Sequence, residues 1–217
     1  MNIYVVVEGE IGERYVYEKW IPLANPEMTR VDTIFDIASN HFAIVAGGGY
    51  PSYFDTIEAE IENVNSVRNI DRFVIAIDSE EMMFEEKYEE VSEFIRDKPC
   101  AASIFIVIQH FCLETWALGN KRVGPRNPRH PTLRKYKKIF NVLERDPELL
   151  PPYDRLNRAQ FAERYLRTML NDKNRNLTYT KRNPKALLHK TYFTEVKKRL
   201  ETTGHIASFV AFLEAFR

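Results

Sequence analysis

Apolar and polar positions along the first 120 residues predict strands and helices in alternation. Short runs of mainly apolar residues, typical of buried strands, occupy 3–7, 42–46, 73–77 and 103–108. Apolar residues three and four positions apart predict the intervening helices at 13–20, 51–64 and 83–96. Since strands alternate with helices, we predict an α/β fold whose sheet of about four strands is mostly parallel and flanked by helices.

The pattern changes after Asn120. Residues 121–131 contain three prolines and four basic side chains but no acidic one, which predicts an exposed loop. Helical spacing of apolar residues then covers 132–142, 158–170, 184–200 and 205–216. We therefore predict an α/β domain over residues 1–120 and a basic, all-helical extension over residues 121–217 that packs on it.

Composition narrows the class of protein. The chain has 217 residues and is 44% hydrophobic, as expected for a folded globular protein. It shows neither a secretory signal pattern nor an apolar stretch long enough to cross a bilayer. Cys100 and Cys112 fit neither a disulfide framework nor the spacing of a metal site. We expect a cytoplasmic protein that makes no contact with a membrane.

The formal net charge of zero is the sum of two oppositely charged halves. Residues 1–120 carry 22 acidic and 8 basic side chains, whereas residues 121–217 carry 9 acidic and 23 basic ones. One interpretation is that the halves neutralise each other across an internal interface. The other is that an acidic, cation-binding half is joined to a basic half that binds a polyanion.

Acidic residues follow two of the predicted strands. Glu8 comes directly after the first strand and Glu13 begins the next helix, while Asp78 and Glu80 follow the strand at 73–77. Because parallel strands end in a shared crevice at one edge of a sheet, these acids can meet there. Carboxylate oxygens are the ligands that Mg²⁺ and Mn²⁺ prefer. Each acid alone could be a solvated turn or helix-cap residue, but two such strands together indicate a metal site.

Three segments of the chain resemble a known family. They are Val7-Glu-Gly-Glu10 with Glu13, Ile77-Asp-Ser-Glu80, and Phe111-Cys-Leu-Glu-Thr-Trp-Ala-Leu118. These segments are similar to elements of the Toprim domain, in particular that of the small Toprim proteins of bacterial defence islands (the RloB-like group) and of the Toprim nuclease half of OLD-family proteins. The resemblance covers roughly residues 1–120.

The resemblance implies roles for individual acids. Glu8 would be the signature Toprim glutamate, a metal ligand or general base, and Glu13 a second metal-binding glutamate. Asp78 and Glu80 would match an Asp-x-Asp pair, and Glu114 would be the acid that completes a site for two Mg²⁺ or Mn²⁺ ions.

The resemblance also bears on Glu80, Glu81 and Lys181. The sequence departs from the family at Glu80, where Asp is usual, and the neighbouring Glu81 could substitute for it as a ligand. Lys181 would match a lysine that stabilises charge in the transition state of OLD-type enzymes.

Basic and aromatic residues interleave in the second half of the chain, which is typical of a nucleic-acid-binding surface. The candidates for nucleic-acid contact are Arg126, Arg129, Arg134, Lys135, Lys137, Lys138, Lys181 and Arg182.

The sequence thus predicts a metal-dependent nuclease that hydrolyses phosphodiester bonds in DNA or RNA, with tRNA among the candidate substrates. The family resemblance implies a place in bacterial anti-phage defence. The alternative is a non-catalytic Toprim-like binding module whose acidic half binds a partner protein such as an ATPase. The chain has no Walker-type Gly-Lys-Ser/Thr motif, so we expect no ATP site on this polypeptide.

Overall fold

A computed structural model describes all 217 residues, which form two compact units. The first unit comprises residues 1–77, 84–108 and 210–217, and the second comprises residues 78–83 and 109–209. Asn120, where the charge balance changes sign, lies inside the second unit, whereas the last eight residues of the chain belong to the first.

The first unit is built on a parallel sheet. Its strands are β1 (Ile3–Val7), β2 (Thr29–Arg30), β3 (His41–Ala46), β4 (Arg72–Asp78) and β5 (Ser103–Gln109), in the order β2-β3-β1-β4-β5. In the central strand, Val5 lies opposite Ile44 of β3 and Val74 of β4. The predicted α/β class with a parallel sheet is confirmed.

The sheet has five strands rather than about four. The additional strand, β2, contains only two residues, Thr29 and Arg30, which pair with the edge strand β3. Neither residue is apolar and the strand is too short for an alternating pattern, so it leaves no signal in the sequence.

Eight α-helices complete the fold. They are α1 (Gly12–Ala24), α2 (Tyr53–Val67), α3 (Phe84–Ile95), α4 (Leu113–Ala117), α5 (Pro131–Ile139), α6 (Arg158–Lys173), α7 (Lys190–Thr203) and α8 (Phe209–Ala215). Three short 3₁₀-helices lie at Ile34–Asp36, Pro147–Leu149 and Lys185–Leu187. None of the helices combines the length and the apolar character that a membrane span requires.

All four helices predicted after residue 120 have different bounds in the structure. The helix predicted over 158–170 extends to Lys173, and the helix predicted over 205–216 begins at Phe209 and ends at Ala215. The helix predicted over 184–200 is a 3₁₀ turn at Lys185–Leu187 followed by α7, because His189 takes an extended conformation that separates them. The helix predicted over 132–142 ends at Ile139, since Phe140 is extended.

Aromatic packing joins the last residues of the chain to the first unit. The ring centroids of Tyr17 on α1 and Phe212 on α8 are 5.2 Å apart, and Phe216 lies 6.2 Å from Tyr17 in an edge-on arrangement. The guanidinium group of Arg72 donates to the backbone carbonyls of Glu214 and Ala215, both at 2.9 Å. These carbonyls lie at the C-terminal end of α8, where helix carbonyls lack intrahelical partners and attract cations.

A buried arginine holds part of the second unit together. Arg199 on α7 is only 3% exposed. Its guanidinium donates to the backbone carbonyls of Leu143, Val142 and Arg145 at 3.1, 3.1 and 2.9 Å, and to Nδ1 of His205. Burial lowers the pKa of Arg199 to about 10, so the group remains charged at neutral pH. One side chain therefore pairs with three backbone carbonyls of the 142–145 segment.

Candidate active site

The turn after β1 carries the first two candidate acids. The backbone N–H of Glu8 donates to the carbonyl of Ala76 at 3.0 Å, which extends the pairing of β1 with β4 by one residue. In the first turn of α1, Oε2 of Glu13 accepts a hydrogen bond from the N–H of Gly9 at 2.6 Å. Both carboxylates belong to the first unit and are partly exposed, so solvent and ions can reach them.

The Gly47–Gly49 loop lies against this turn. The N–H of Gly49 donates to the carbonyl of Glu8 at 3.2 Å, and the φ angles of Gly48 and Gly49 are +80° and +79°, a conformation that favours glycine. Burial, together with the nearby carboxylates of Glu90 and Glu8, raises the pKa of Tyr53 above its usual range. The backbone of Glu8 thus contacts this loop, and its carboxylate is near Tyr53, the first residue of α2.

The other three candidate ligands belong to the second unit, where they lie near one lysine. Desolvation alone would lower the pKa of Lys181, but the negative charges of Glu114, Asp78 and Glu80 outweigh it and raise the pKa above its usual range. Lys181 is exposed to solvent and keeps its positive charge at neutral pH. The structure therefore brings Lys181 to three carboxylates that precede it by 67 to 103 residues.

Glu114 is the most buried of these acids, with 2% of its surface exposed. Its Oε1 accepts a hydrogen bond of 2.6 Å from the hydroxyl of Tyr179, and burial and this carboxylate together raise the pKa of Tyr179. Thr180 and Asn183 exchange two backbone hydrogen bonds, which close a tight turn around Lys181. Tyr179 thus anchors the lysine turn to Glu114. The sequence places Tyr179 among the interleaved basic and aromatic residues, but it does not predict the contact with Glu114, since a tyrosine before a basic run does not reveal a carboxylate partner.

Glu80 has a backbone conformation that is unusual for its residue type. Its φ angle is +54°, in the left-handed region, and its N–H donates to the carbonyl of Phe111 at 2.9 Å. For a residue other than glycine this conformation costs about 1–2 kcal/mol, and aspartate or asparagine adopts it more readily than glutamate. The 78–80 segment is therefore held in a defined shape by its contacts with the end of β5.

Glu81 has a different role. Its Oε1 accepts the backbone N–H of Arg158 at 2.6 Å, and its Oε2 lies 3.7 Å from the Arg158 guanidinium. Arg158 is the first residue of α6, where the backbone N–H groups lack intrahelical partners and favour a negative charge. Of the two adjacent glutamates, Glu80 contributes to the charge around Lys181 and Glu81 caps a helix.

A buried hydrogen-bond network supports the 78–80 segment. Ser79 Oγ and His110 Nδ1 are 2.8 Å apart. The backbone N–H of His110 and the indole N–H of Trp116 donate to Ser208 Oγ at 3.4 and 2.7 Å. The hydroxyl of Ser208 in turn donates to the carboxylate of Glu148. Burial raises the pKa of Glu148 to about 7, although the Ser208 hydrogen bonds favour its charged form.

The raised pKa of Glu148 predicts that the protein loses stability as pH rises through neutrality. The folded protein binds this proton more tightly than the unfolded chain, whose carboxyl pKa is near 4.5. The resulting stabilisation is complete below about pH 4.5 and is lost as pH rises through about 7. We expect the free energy of unfolding by urea to fall by about 2–3 kcal/mol from pH 5 to pH 8.

The matched variant is Glu148→Gln, which keeps an acceptor for Ser208 but cannot titrate. The negative charge of Asp146 contributes to the raised pKa of Glu148. His110 belongs to the same hydrogen-bond network, and His205 precedes Ile206, whose N–H donates to Asp146. These groups remain in both proteins, so the difference between the two pH profiles reports on Glu148. Identical profiles would show that Glu148 does not carry the effect.

Neither unit, taken by itself, contains three or more His, Cys, Asp or Glu side chains grouped so as to hold a metal ion. Cys112 is not a candidate ligand either, because it is fully buried and burial, with the charges of Glu114 and Asp78, raises the pKa of its thiol. Within the second unit, Lys181 is a positive charge that lies near Asp78, Glu80 and Glu114.

The predicted nucleic-acid contacts fall into two groups. Six of the eight side chains are exposed and make no hydrogen bond to a backbone carbonyl: Arg126, Arg129, Lys135, Lys138, Lys181 and Arg182. The other two, Arg134 and Lys137, donate to backbone carbonyls of the loop before α5. Sequence alone does not separate these groups, since all eight have the same charge.

Comparison with models of protein families, with curated proteins and with solved structures finds no match to this chain.

Proposed function

We propose that the protein is a Mg²⁺- or Mn²⁺-dependent nuclease of the Toprim type, which hydrolyses phosphodiester bonds in DNA or RNA. The observation that carries the proposal is the gathering of Asp78, Glu80 and Glu114 around Lys181 in the second unit. The three acids come from two separate segments of the chain, and their mutual repulsion costs free energy unless cations compensate it.

The chemistry of these donors fits a hard divalent cation. Carboxylate oxygens bind Mg²⁺ and Mn²⁺, and the protonated thiol of Cys112 offers no competing soft ligand. The proposal keeps Glu8 and Glu13 as further candidate metal ligands, because they follow β1, a parallel strand next to β4 in the sheet of the first unit. Bound there, the ions would activate a water molecule and neutralise charge on the phosphate.

Lys181 and Tyr179 would have further roles in the reaction. Lys181 would neutralise negative charge that develops on the phosphate in the transition state, since it stays protonated at neutral pH and is exposed. Tyr179 would fix the Glu114 carboxylate through its 2.6 Å hydrogen bond. The proposal also includes a cytoplasmic location, which is expected from the use of cysteine, and a role in anti-phage defence, which the Toprim resemblance implies.

A second candidate function is a non-catalytic binding module that acts with a partner such as an ATPase. The favouring observation is that Lys181 already compensates the acids, while neither unit by itself groups three metal ligands. In such a module the acids and the lysine would be a structural charge cluster and no metal would be required.

Calorimetric titration with Mn²⁺ distinguishes the nuclease from the binding module, because only the nuclease requires a metal site. The adjacent residues Glu80 and Glu81 provide a matched pair of variants for this experiment. Glu80→Gln should weaken Mn²⁺ binding about tenfold or more, because a neutral amide is a poor ligand for a hard dication. Glu81→Gln makes the same charge change one residue away, but should leave the affinity unchanged because Glu81 caps α6. Glu80→Asp should bind Mn²⁺ at least as well as the natural protein, since aspartate tolerates the +54° φ angle better.

Equal losses in Glu80→Gln and Glu81→Gln would indicate a diffuse acidic surface rather than a defined site. Failure of the natural protein to bind Mn²⁺ would overturn the nuclease proposal and favour the binding module.

A further inference from the structure

The loop at residues 125–130 is held in shape by cationic side chains of the helix that follows it. The guanidinium of Arg134 donates through Nε to the carbonyl of Pro128 and through Nη2 to the carbonyl of Arg129, both at 2.9 Å. Two parallel hydrogen bonds from one planar group fix both the position and the orientation of these peptide groups.

Lys137 holds the other half of the loop. Its ammonium donates to the carbonyls of Pro125 and Arg126 at 3.2 and 2.6 Å. Together with Arg134, it gives hydrogen bonds to four carbonyls within five residues. Three prolines at 125, 128 and 131 further restrict the backbone. The loop is thus ordered before any ligand arrives.

The end of the loop is fastened to α6. The backbone N–H of His130 donates to the carboxylate of Asp172, and Nδ1 of His130 accepts from the N–H of Thr132 at 3.2 Å. The carboxylate of Asp172, an acid in this region, is therefore already paired with a backbone N–H group.

Arg126 and Arg129, the two arginines of the loop, have exposed side chains. Further basic groups lie on the neighbouring helices. Tyr136 on α5 packs against Phe161 and Tyr165 of α6, with ring centroids 5.0 and 5.6 Å apart. Arg164 and Arg167, which lie on the same helix as these two rings, are therefore close to α5. We define the basic surface as the exposed residues Arg126, Arg129, Lys135, Lys138, Arg164 and Arg167.

We infer that the basic surface binds the phosphodiester backbone of nucleic acid, with Arg126 and Arg129 presented by the pre-ordered loop as the main phosphate contacts. The inference deepens the proposed function, because it names the surface that holds the substrate. Arginine suits this role, since its planar group binds phosphate oxygens in a bidentate manner. A loop ordered in advance loses little conformational entropy on binding. Contacts to phosphate carry no sequence information, so recognition should be independent of base sequence.

Binding is best measured by fluorescence anisotropy in EDTA, where no metal-dependent cleavage takes place. The probes are a labelled DNA duplex and a labelled single-stranded RNA, titrated at several salt concentrations. Arg126→Ala/Arg129→Ala should reduce the slope of log K against log salt by about 1.8 on duplex DNA, and affinity should fall about tenfold or more. The control, Lys190→Ala/Lys198→Ala, removes the same charge from exposed positions on α7 and should leave the slope unchanged.

Adjacent lysines test the pre-ordering of the loop. Lys137→Met and Lys138→Met each remove one charge, but only Lys137 donates to loop carbonyls. We expect Lys137→Met to lose several-fold more affinity than Lys138→Met. Equal losses would show that loop order does not contribute.

Equal effects of the two double variants would overturn the inference. The absence of binding to both probes would also overturn it, and an acidic protein would then be the remaining candidate partner of this surface. Binding without any cleavage in Mn²⁺ would instead overturn the proposed nuclease and leave the inference intact.

Discussion

Asp78→Asn and Glu8→Gln are each expected to lower the rate of phosphodiester cleavage by about a hundredfold to a thousandfold, in a protein that remains folded. Each change removes one negative charge from the proposed metal site while keeping the size of the side chain, and groups that stabilise charge in the transition state typically contribute about 10²–10³ in rate. Both side chains are only partly buried, so little packing is lost. Single-turnover cleavage of a labelled substrate in Mn²⁺, together with thermal unfolding, measures both effects.

Glu10→Gln provides the control for this prediction. Glu10 is an exposed acid in the same turn as Glu8, so its replacement makes the same change in net charge away from the strand end. It should retain nearly full activity. If Glu10→Gln lost as much activity as Glu8→Gln, or if both Asp78→Asn and Glu8→Gln stayed near the natural rate, the chemistry would lie elsewhere.

The largest expected effect on stability belongs to Arg199→Met. Methionine fills much of the space of the arginine stem but leaves the carbonyls of Val142, Leu143 and Arg145 without their donor. Unpaired buried polar groups cost about 1–3 kcal/mol each, and relaxation of the 142–145 segment will recover part of this cost. We expect a loss of about 3–5 kcal/mol, a large share of the 5–15 kcal/mol that stabilises most domains.

Urea unfolding followed by circular dichroism measures this loss, and Lys198→Met is the matched control. Lys198 precedes Arg199 on α7 and is exposed, so its replacement should change stability by less than about 0.5 kcal/mol. A similarly small change in Arg199→Met would mean that water or other side chains replace the guanidinium.

The order of strands and helices could be predicted from the sequence because most elements bury an apolar face with a regular period. The runs that form β1, β3, β4 and β5 and the spacing along α1 to α3 are of this kind. The features that the sequence does not predict have no such apolar face. The two polar residues of β2 are one case, and the extended residue His189, which divides a continuous apolar pattern, is another.

The candidate site was predictable only in part for a similar reason. The positions of Glu8 and Asp78 at the ends of two parallel strands follow from the alternation of strands and helices alone. The choice between Glu80 and Glu81 depends on a positive φ angle and on the start of α6. The hydrogen bond from Tyr179 to Glu114 joins residues 65 positions apart. Neither the roles of Glu80 and Glu81 nor the hydrogen bond of Tyr179 can be recognised from a local pattern in the sequence.

The arrangement of α8 has a consequence for how the first unit folds. Phe212 and Phe216 pack against Tyr17, although 195 and 199 positions separate them from it along the chain. Closing so long a loop costs conformational entropy before the contact repays it, so contacts of this kind slow folding. The parallel sheet can therefore assemble before its aromatic neighbours are in place. Until α8 docks, the rings of Tyr17 and Trp20 lack the partner that Phe212 provides, and apolar surface exposed in this way makes a partly folded chain prone to aggregation.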